Sequence, residues 1–350
     1  MRIPEKMNAA VLYGFNDVRL VERPVPTPGP GEALVKIEAC GVCAGDIKII
    51  TRGMPKQPPM GEFIIGHEYA GTIAALGETV DEFKIGDRVA VEVHKGSGRC
   101  RNCIMGKYTV CLNYGNSAKG HRANGFTTNG GFAEYAVNHV NTLLKLPDTI
   151  SMDHAITITT AGTSLYGIDM AGGYIPGDTV AVLGPGSIGL MAVQCSKALG
   201  AGQVILTGTR DNRLALGRKL GADQVVNVKK ADPVEQVKAL TGGVGADFVL
   251  VASGQEASLQ QALEMTRKGG DITVLAHFEK PVMTDIGLAV KNGINLFTVR
   301  GEGRMSCHRA LSLMEEGKID GEALITHTFP LEEINEALAT FADRRDDALK

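Results

Sequence analysis

Seven cysteines are unevenly placed along the 350 residues, as Cys40 and Cys43, then Cys100, Cys103 and Cys111, then Cys195 and Cys307 alone. Short spacings of this kind suit metal ligation or a redox pair better than a disulfide framework. Cys43 lies in Cys40-Gly41-Val42-Cys43-Ala44-Gly45-Asp46 and is followed by Gly66-His67-Glu68. Thiolate and imidazole are ligands that zinc prefers, and a catalytic zinc keeps one position open for substrate. Two plainer readings stay open on these residues alone: His67 as a packed core histidine, and Cys40 with Cys43 as a C-x-x-C redox pair.

A second group points to a nucleotide. The apolar run Thr179–Leu183 leads straight into Gly184-Pro185-Gly186-Ser187-Ile188-Gly189, which opens a stretch of helical periodicity. The first glycine permits a tight turn, the second lets the backbone approach a pyrophosphate, and the third lets helix and strand pack closely. The anion then sits on free N–H groups at the positive end of the helix. An ordinary glycine turn is the bland alternative, and the strand, loop and helix around the motif favour the dinucleotide. At the end of the next strand an NAD enzyme places an acid for the ribose 2′-hydroxyl. This chain has Thr207-Gly208-Thr209-Arg210 there. Gly208 is expected to leave room for a 2′-phosphate, and Thr209 and Arg210, with Arg213, to bind it, so NADP is favoured over NAD. A solvated surface arginine, with Asp211 close by, is the case for NAD. Ala252, Leu275, His277 and Arg300, around the ends of later strands, complete the expected cofactor-binding set.

Elements must hold these groups in place. The first 150 or so residues are punctuated by glycine and proline, with short runs at Ala33–Ile37, Arg88–Val93 and Phe132–Val137 that read as a barrel-like all-β unit. From about Pro176, strand-length runs alternate with amphipathic stretches: Thr179–Leu183, Gln203–Thr207, Gln224–Val228, Phe248–Ala252, Ile272–Ala276 and Asn295–Val299. Between the first two, Ile188, Met191, Ala192, Cys195 and Leu199 fall at helical spacing, with Gly200 as the stop. Asp232-Pro233 supplies an N-cap oxygen and a first-turn proline for another helix. Leu259, Ala262, Leu263 and Thr266 predict a third, running into Gly269-Gly270. Strands and helices in alternation make an α/β chain with a doubly wound parallel sheet of the Rossmann kind. Two last helices, about Ser306–Glu316 and Glu332–Phe341, are expected to return to the first domain.

Composition excludes several classes. Apolar residues at 44% and charged ones at 21% are ordinary for a globular chain. A net charge of -3 gives no field for nucleic acid or an anionic membrane. Met1-Arg2-Ile3-Pro4-Glu5-Lys6 lacks the apolar core of a signal peptide. The uncharged stretch Thr179–Ser196 is broken by Gly184-Pro185-Gly186-Ser187 and reads as strand, turn and helix. A cytoplasmic protein is the expectation.

From Glu32 onward the resemblance becomes specific. Ala44-Gly45-Asp46, Gly66-His67-Glu68, Gly77 with Val80, Gly86-Asp87-Arg88-Val89, the three-cysteine lobe and Gly130-Gly131-Phe132-Ala133-Glu134-Tyr135 resemble the zinc-containing medium-chain dehydrogenase/reductase family. The likeness covers nearly the whole chain and is nearest to its polyol and secondary-alcohol dehydrogenases. It implies a GroES-like catalytic domain over residues 1–157, completed by 300–350, and a Rossmann domain over 158–299. It implies a catalytic zinc on Cys43 and His67, with Glu68 as ligand or displaceable partner and Asp46 orienting the site. It also implies hydride transfer between NAD(P) and a small alcohol or its carbonyl, and a homodimer or homotetramer built through the strand Asn295–Val299.

Three positions depart from the family pattern. Its third zinc ligand falls at Thr160, so Glu68 is the candidate to complete the site. The hydroxyl two residues after the metal cysteine is replaced by Gly45, which leaves Ser164 and Lys48 as candidates to carry the proton. The first structural-zinc position is Ser97, before Cys100, Cys103 and Cys111. Two rival readings remain: a zinc-free quinone or enone reductase, which Thr160 favours, and a non-catalytic dinucleotide-binding protein.

Overall fold

The computed structural model describes residues 2–303 and 305–350. They form two compact units: one holds the chain up to Thr159 with Glu302–Leu311 and Gly321–Lys350, the other Thr160–Gly301 with Ser312–Asp320.

The first unit is mostly antiparallel sheet. Five strands lie in the order Leu143–Lys145, Arg88–Val91, Glu68–Leu76, Glu32–Gly41 and Tyr135–His139. Three more lie in the order Asp17–Pro24, Lys6–Gly14 and Phe63–Ile64. The two-residue side-chain period sends alternate residues of Glu32–Gly41 to opposite faces. Ala33 and Val35 join Tyr69, Ile73, Val89 and Val91 in one core. Leu34 joins Met7, Val11 and Ile64 in another. Both faces are therefore buried, and that fixes the register, because a one-residue slip would swap every side chain between cores. The register runs out with Cys40 opposite Tyr69 and Gly41 opposite Glu68. Cys43, two residues past one strand end, is thereby brought to His67, one residue before the other. Late in the chain, Ile334–Asp343 places Ile334 and Leu338 against Leu12, Ile49 and Phe63.

In the second unit six strands form one parallel sheet: Gln224–Asn227, Gln203–Gly208, Thr179–Leu183, Ala246–Val251, Thr266–Val274 and Asn295–Thr298, in that order. All six predicted strands are present. Thr179–Leu183 is central, so its Val180, Ala181 and Val182 are wholly buried, as a strand covered on both faces requires. The stretch Thr179–Ser196 is the strand, turn and helix expected, and no helix among the described residues is long and apolar enough to cross a membrane. Asp232 caps Pro233–Leu240 by accepting from the N–H groups of Val234 (2.8 Å) and Glu235 (2.9 Å). One boundary is corrected. The helix over Leu259 and Ala262 stops at Met265, and Thr266 begins a strand by pairing with Ala246.

Candidate active site

Cys43 ends the extended segment ahead of the helix Ala44–Arg52 and stands at its N-cap. Asp46, three residues on, is completely buried and uses both oxygens. Oδ2 accepts the backbone N–H of Cys43 at 2.9 Å, which closes the helix start, and Oδ1 accepts from Nδ1 of His67 at 3.0 Å. That second bond fixes the imidazole tautomer and leaves Nε2 as the ring atom a metal would take. Ligand-type atoms of Cys43, His67 and Glu68 all lie within 4.8 Å of one another. Burial opposes a charge on His67, but Asp46 and Cys43 outweigh it and hold the imidazole well above its ordinary value. A concentrated pair of acids around an imidazole is chemistry that a dication satisfies, so the donor set fits zinc. The C-x-x-C reading fares worse: loss of solvation, with Asp46 and Glu68 nearby, pushes the Cys40 thiol well above its ordinary value, away from a reactive thiolate.

Sequence reasoning missed Lys350. Its side chain is buried and its Nζ is ion-paired with Oε2 of Glu68. Burial opposes charge on this lysine, and Glu68 and Cys43 outweigh it, so the ammonium is held above its ordinary value. Glu68 thus has a built-in counter-charge. No local pattern signals a contact between residues 282 apart in sequence.

The other predicted proton carriers are placed as follows. Lys48 is half-buried on the helix Ala44–Arg52. Ser164 is fully buried in the second unit, where its hydroxyl serves the carbonyls of Thr160 and Ile188, each at 3.1 Å. Thr160 is buried in the helix Ile158–Met170 of that unit. At Gly45 a Cβ would stand 3.1 Å from Cε1 of His67 and 3.7 Å from Cζ of Phe126, so a side chain there would be crowded.

The cysteine lobe gathers Cys100, Cys103 and Cys111 with their sulfurs within 4.8 Å of one another. Ser97 stands at the fourth corner: its Oγ lies 3.4 Å from Sγ of Cys111 and 3.9 Å from Sγ of Cys103, and accepts from Asn113 Nδ2 at 3.1 Å. Backbone N–H groups of Ser97 and Asn113 point at Sγ of Cys111 at 3.4 Å, and that of Cys103 points at Sγ of Cys100 at 3.5 Å, a bond that leads in pulling the Cys100 thiol down to about 6. Geometry fits a metal here also, with one neutral donor in place of a charged one.

In the second unit the glycine loop has the form its sequence demands. Gly184 has φ +103 and could not carry a side chain without meeting Ser253 and Ala252. A Cβ on Gly189 would overlap the carbonyl oxygen of Gly184, so the third glycine serves helix–loop packing. Gly186, at the N-cap of Ser187–Ala198, faces space in which an added Cβ meets nothing within 4 Å. An open cradle of backbone at a helix N-terminus fits a pyrophosphate. Ala252 and Leu275 continue the ladder past their strands by bonding Leu183 and Val251, and His277 and Arg300 are exposed beyond the ends of theirs. Ligands of open parallel sheets bind along this carboxyl edge.

Two details change at the cofactor turn. Gly208 is buried, and a Cβ there would collide with Pro185, so close packing against the glycine loop by itself requires a glycine at this position. Asp211 is tied to Lys230 at 2.8 Å and Asn227 at 2.7 Å, interactions that hold its carboxyl below the usual range. Thr209 is exposed and Arg210 half-buried beside it.

Residues 29–148 match the alcohol dehydrogenase GroES-like domain and residues 187–316 the zinc-binding dehydrogenase domain. Sorbitol dehydrogenase of Bacillus subtilis (strain 168) is 30% identical over 99% of this chain and 97% of its own length. The chain belongs to the zinc-type medium-chain dehydrogenase family. L-threonine 3-dehydrogenase of the same organism is 34% identical over 90% of this chain and 89% of its own. Among solved structures, a zinc-binding dehydrogenase of Sinorhizobium meliloti 1021 bound to NADP aligns with TM-score 0.88 at 27% identity, covering 96% of each chain. The dehydrogenase is therefore an NAD(P)-dependent, zinc-type oxidoreductase of alcohols, with a GroES-like domain and a Rossmann sheet.

Proposed function

We propose that Cys43, His67 and Glu68 hold the catalytic zinc, and that the dehydrogenase interconverts a small secondary alcohol or polyol and its ketone with NADP. The convergence of three ligand atoms within 4.8 Å, with Asp46 locking the His67 tautomer, carries this reading. Zinc bound there supplies Lewis-acid polarisation of the substrate oxygen, while the nicotinamide takes or gives the hydride. The chain's own contribution is positional. Asp46 keeps the imidazole turned toward the metal, Lys350 balances Glu68, and the Gly184–Gly189 loop presents backbone N–H groups to the pyrophosphate. We assign the 2′-phosphate to Thr209 and Arg210, because Asp211 is engaged by Lys230 and Asn227. The proposed division of labour follows residues 1–157 with 300–350 for zinc and substrate, and 158–299 for the cofactor. Seven free thiols suit a reducing cytoplasm, and we propose that copies assemble through the sheet edge at Asn295–Thr298.

The test is zinc per chain by inductively coupled plasma mass spectrometry, for wild type and Cys43→Ala, beside turnover of sorbitol, 2,3-butanediol and L-threonine with NADP+ and NAD+. The expected result is that the variant loses one zinc and all turnover together. An active enzyme without zinc would overturn the assignment and restore the zinc-free reductase reading.

A further inference from the structure

The first unit buries two carboxylate–imidazole pairs, and the rings of both histidines lie near Phe126. The His67 ring centroid lies 4.6 Å from that of Phe126, and the His94 ring, nearly parallel to it at 18°, lies 6.2 Å away. His67 is served by Asp46 and belongs to the metal group. His94 is served by Glu302, which accepts from Nδ1 at 3.0 Å and from the backbone N–H at 3.2 Å. Their side chains are 7% and 3% exposed. Among the described residues His94 joins neither metal-capable group, and no hydrogen bond to its Nε2 is formed. A buried imidazole whose Nδ1 is fixed by a carboxylate and whose Nε2 is left over is the arrangement that holds and releases a proton.

The reaction needs such a group. Gly45 offers no hydroxyl, the crowding by His67 and Phe126 leaves little space for one, and Ser164 spends its hydroxyl on two carbonyls. We propose that His94 is the acid–base residue of this dehydrogenase, with Glu302 as the residue that positions it. This rests on the zinc dehydrogenase reading above. In oxidation, the alcohol O–H bond breaks and its proton passes to Nε2 of His94. The C–H bond breaks with both its electrons going to the oxidised nicotinamide, and the C=O bond forms. Substrate is oxidised, cofactor is reduced, and the imidazolium is left against the Glu302 carboxylate.

The charges around the pair favour this use. Burial pushes Glu302 up, but His94 outweighs it and keeps the carboxyl below its ordinary value. Glu92, on the same stretch of chain, is pushed up to about 8 by burial and by Glu302, and Tyr108 donates to it. Burial keeps the thiol of Cys307 and the phenol of Tyr108 protonated. The Tyr114 ring centroid lies 6.3 Å from that of His94 and 4.4 Å from that of His121. Lys95 and Arg122, partners in the short antiparallel pairing of His94–Lys95 with Arg122–Ala123, lie by Glu32, to which Arg122 is ion-paired. Glu302 is thus the ionised carboxylate bonded to the imidazole of His94.

The experiment uses the zinc-loaded enzyme with 2,3-butanediol and NADP+, following kcat and KM from pH 5 to 10 for wild type, His94→Gln and Glu302→Gln. Zinc content and NADPH binding are measured beside it. If wild type carries no zinc or turns over none of the three alcohols above, the functional reading fails before this one is reached. The expected result is that His94→Gln keeps its zinc and binds NADPH but loses about a hundred- to ten-thousand-fold in kcat, together with one limb of the pH profile. Glu302→Gln, which retains an acceptor for His94, is expected to keep that limb and shift it to lower pH. A His94→Gln enzyme with an unchanged pH profile overturns the proposal, and so does a rise confined to KM, which would make His94 a substrate contact. Should His94→Gln fail to fold, an unshifted profile in Glu302→Gln overturns it alone.

Discussion

Asp46 carries two duties on one carboxylate, closing the helix at Cys43 and setting the tautomer of His67, and residue-scale economy of this kind recurs around the molecule. Arg210 is a simpler case. With Asp211 held by Lys230 and Asn227, the turn after Gln203–Gly208 presents positive charge where the cofactor's ribose is expected. Arg210→Gln should raise KM for NADPH about ten- to hundred-fold, the worth of one charge-assisted hydrogen bond of about 1.5–3 kcal/mol, and leave NADH nearly unaffected. Initial rates with both cofactors check this, and an equal loss with NADH would return the arginine to the solvent. Glu92 gives a prediction in pH. Its carboxyl is held up to about 8 in the fold against an ordinary 4.5, so the native state keeps a proton that the unfolded chain has lost. Stability from this group is full below the lower value and disappears as pH rises through the higher one. Glu92→Gln should therefore melt close to wild type at pH 5 and above it at pH 9. Circular dichroism melts at the two values decide, and parallel curves would mean that Glu92 is ionised throughout.

At the scale of elements, what the sequence disclosed and what it hid separate by distance along the chain. Local periodicity found all six parallel strands, and glycine spacing found the loop from Gly184 to Gly189, because both are settled within a few residues. The spacing of Thr266 from Leu259, Ala262 and Leu263 continues a helix, whereas its strand state depends on pairing with Ala246 twenty residues earlier. Cys43, His67 and Glu68 were legible as residue types, and their meeting depends on the register that sets Gly41 opposite Glu68. Lys350 and the His94–Glu302 pair were not legible, since their contacts span 282 and 208 residues. The cysteine lobe shows an element tuned by one residue. A structural zinc site is normally closed by four charged or imidazole ligands, and here Ser97 occupies a corner with a neutral hydroxyl. Ser97→Cys should tighten zinc in the lobe about ten-fold or more, a gain of about 1.4 kcal/mol or more, and raise the melting temperature. Zinc retained after dialysis against a chelator measures this, and equal retention in both proteins would show that the serine already closes the site.

The whole molecule ends its parallel sheet on an unguarded edge. Among the described residues Asn295–Thr298 pairs on one side only, with Thr266–Val274, which leaves it at the edge of the sheet. Soluble proteins usually protect such an edge with lysine, proline or a covering loop. Here the strand reads Asn-Leu-Phe-Thr, without a charge, and its own Leu296 is 37% exposed, while Ile286 at 55% and Val290 at 80% stand on the helix Ile286–Asn292 that precedes it. Apolar side chains beside an open strand are what a second copy would cover by extending the sheet across a two-fold axis. Charge does not oppose the meeting, because each chain carries only -3. Sedimentation velocity at micromolar concentration should therefore give a multiple of 37.0 kDa. Val290→Asp and Leu296→Lys together place unpaired charges in the contact, at a cost of several kcal/mol by the general price of burying one, and should return the mass to a single chain. NADPH binding per chain should survive this change, since neither residue lies on the glycine loop or the turn at Arg210. A single-chain mass in the wild-type protein would mean that the edge is tolerated bare, and the dimer would have to be given up.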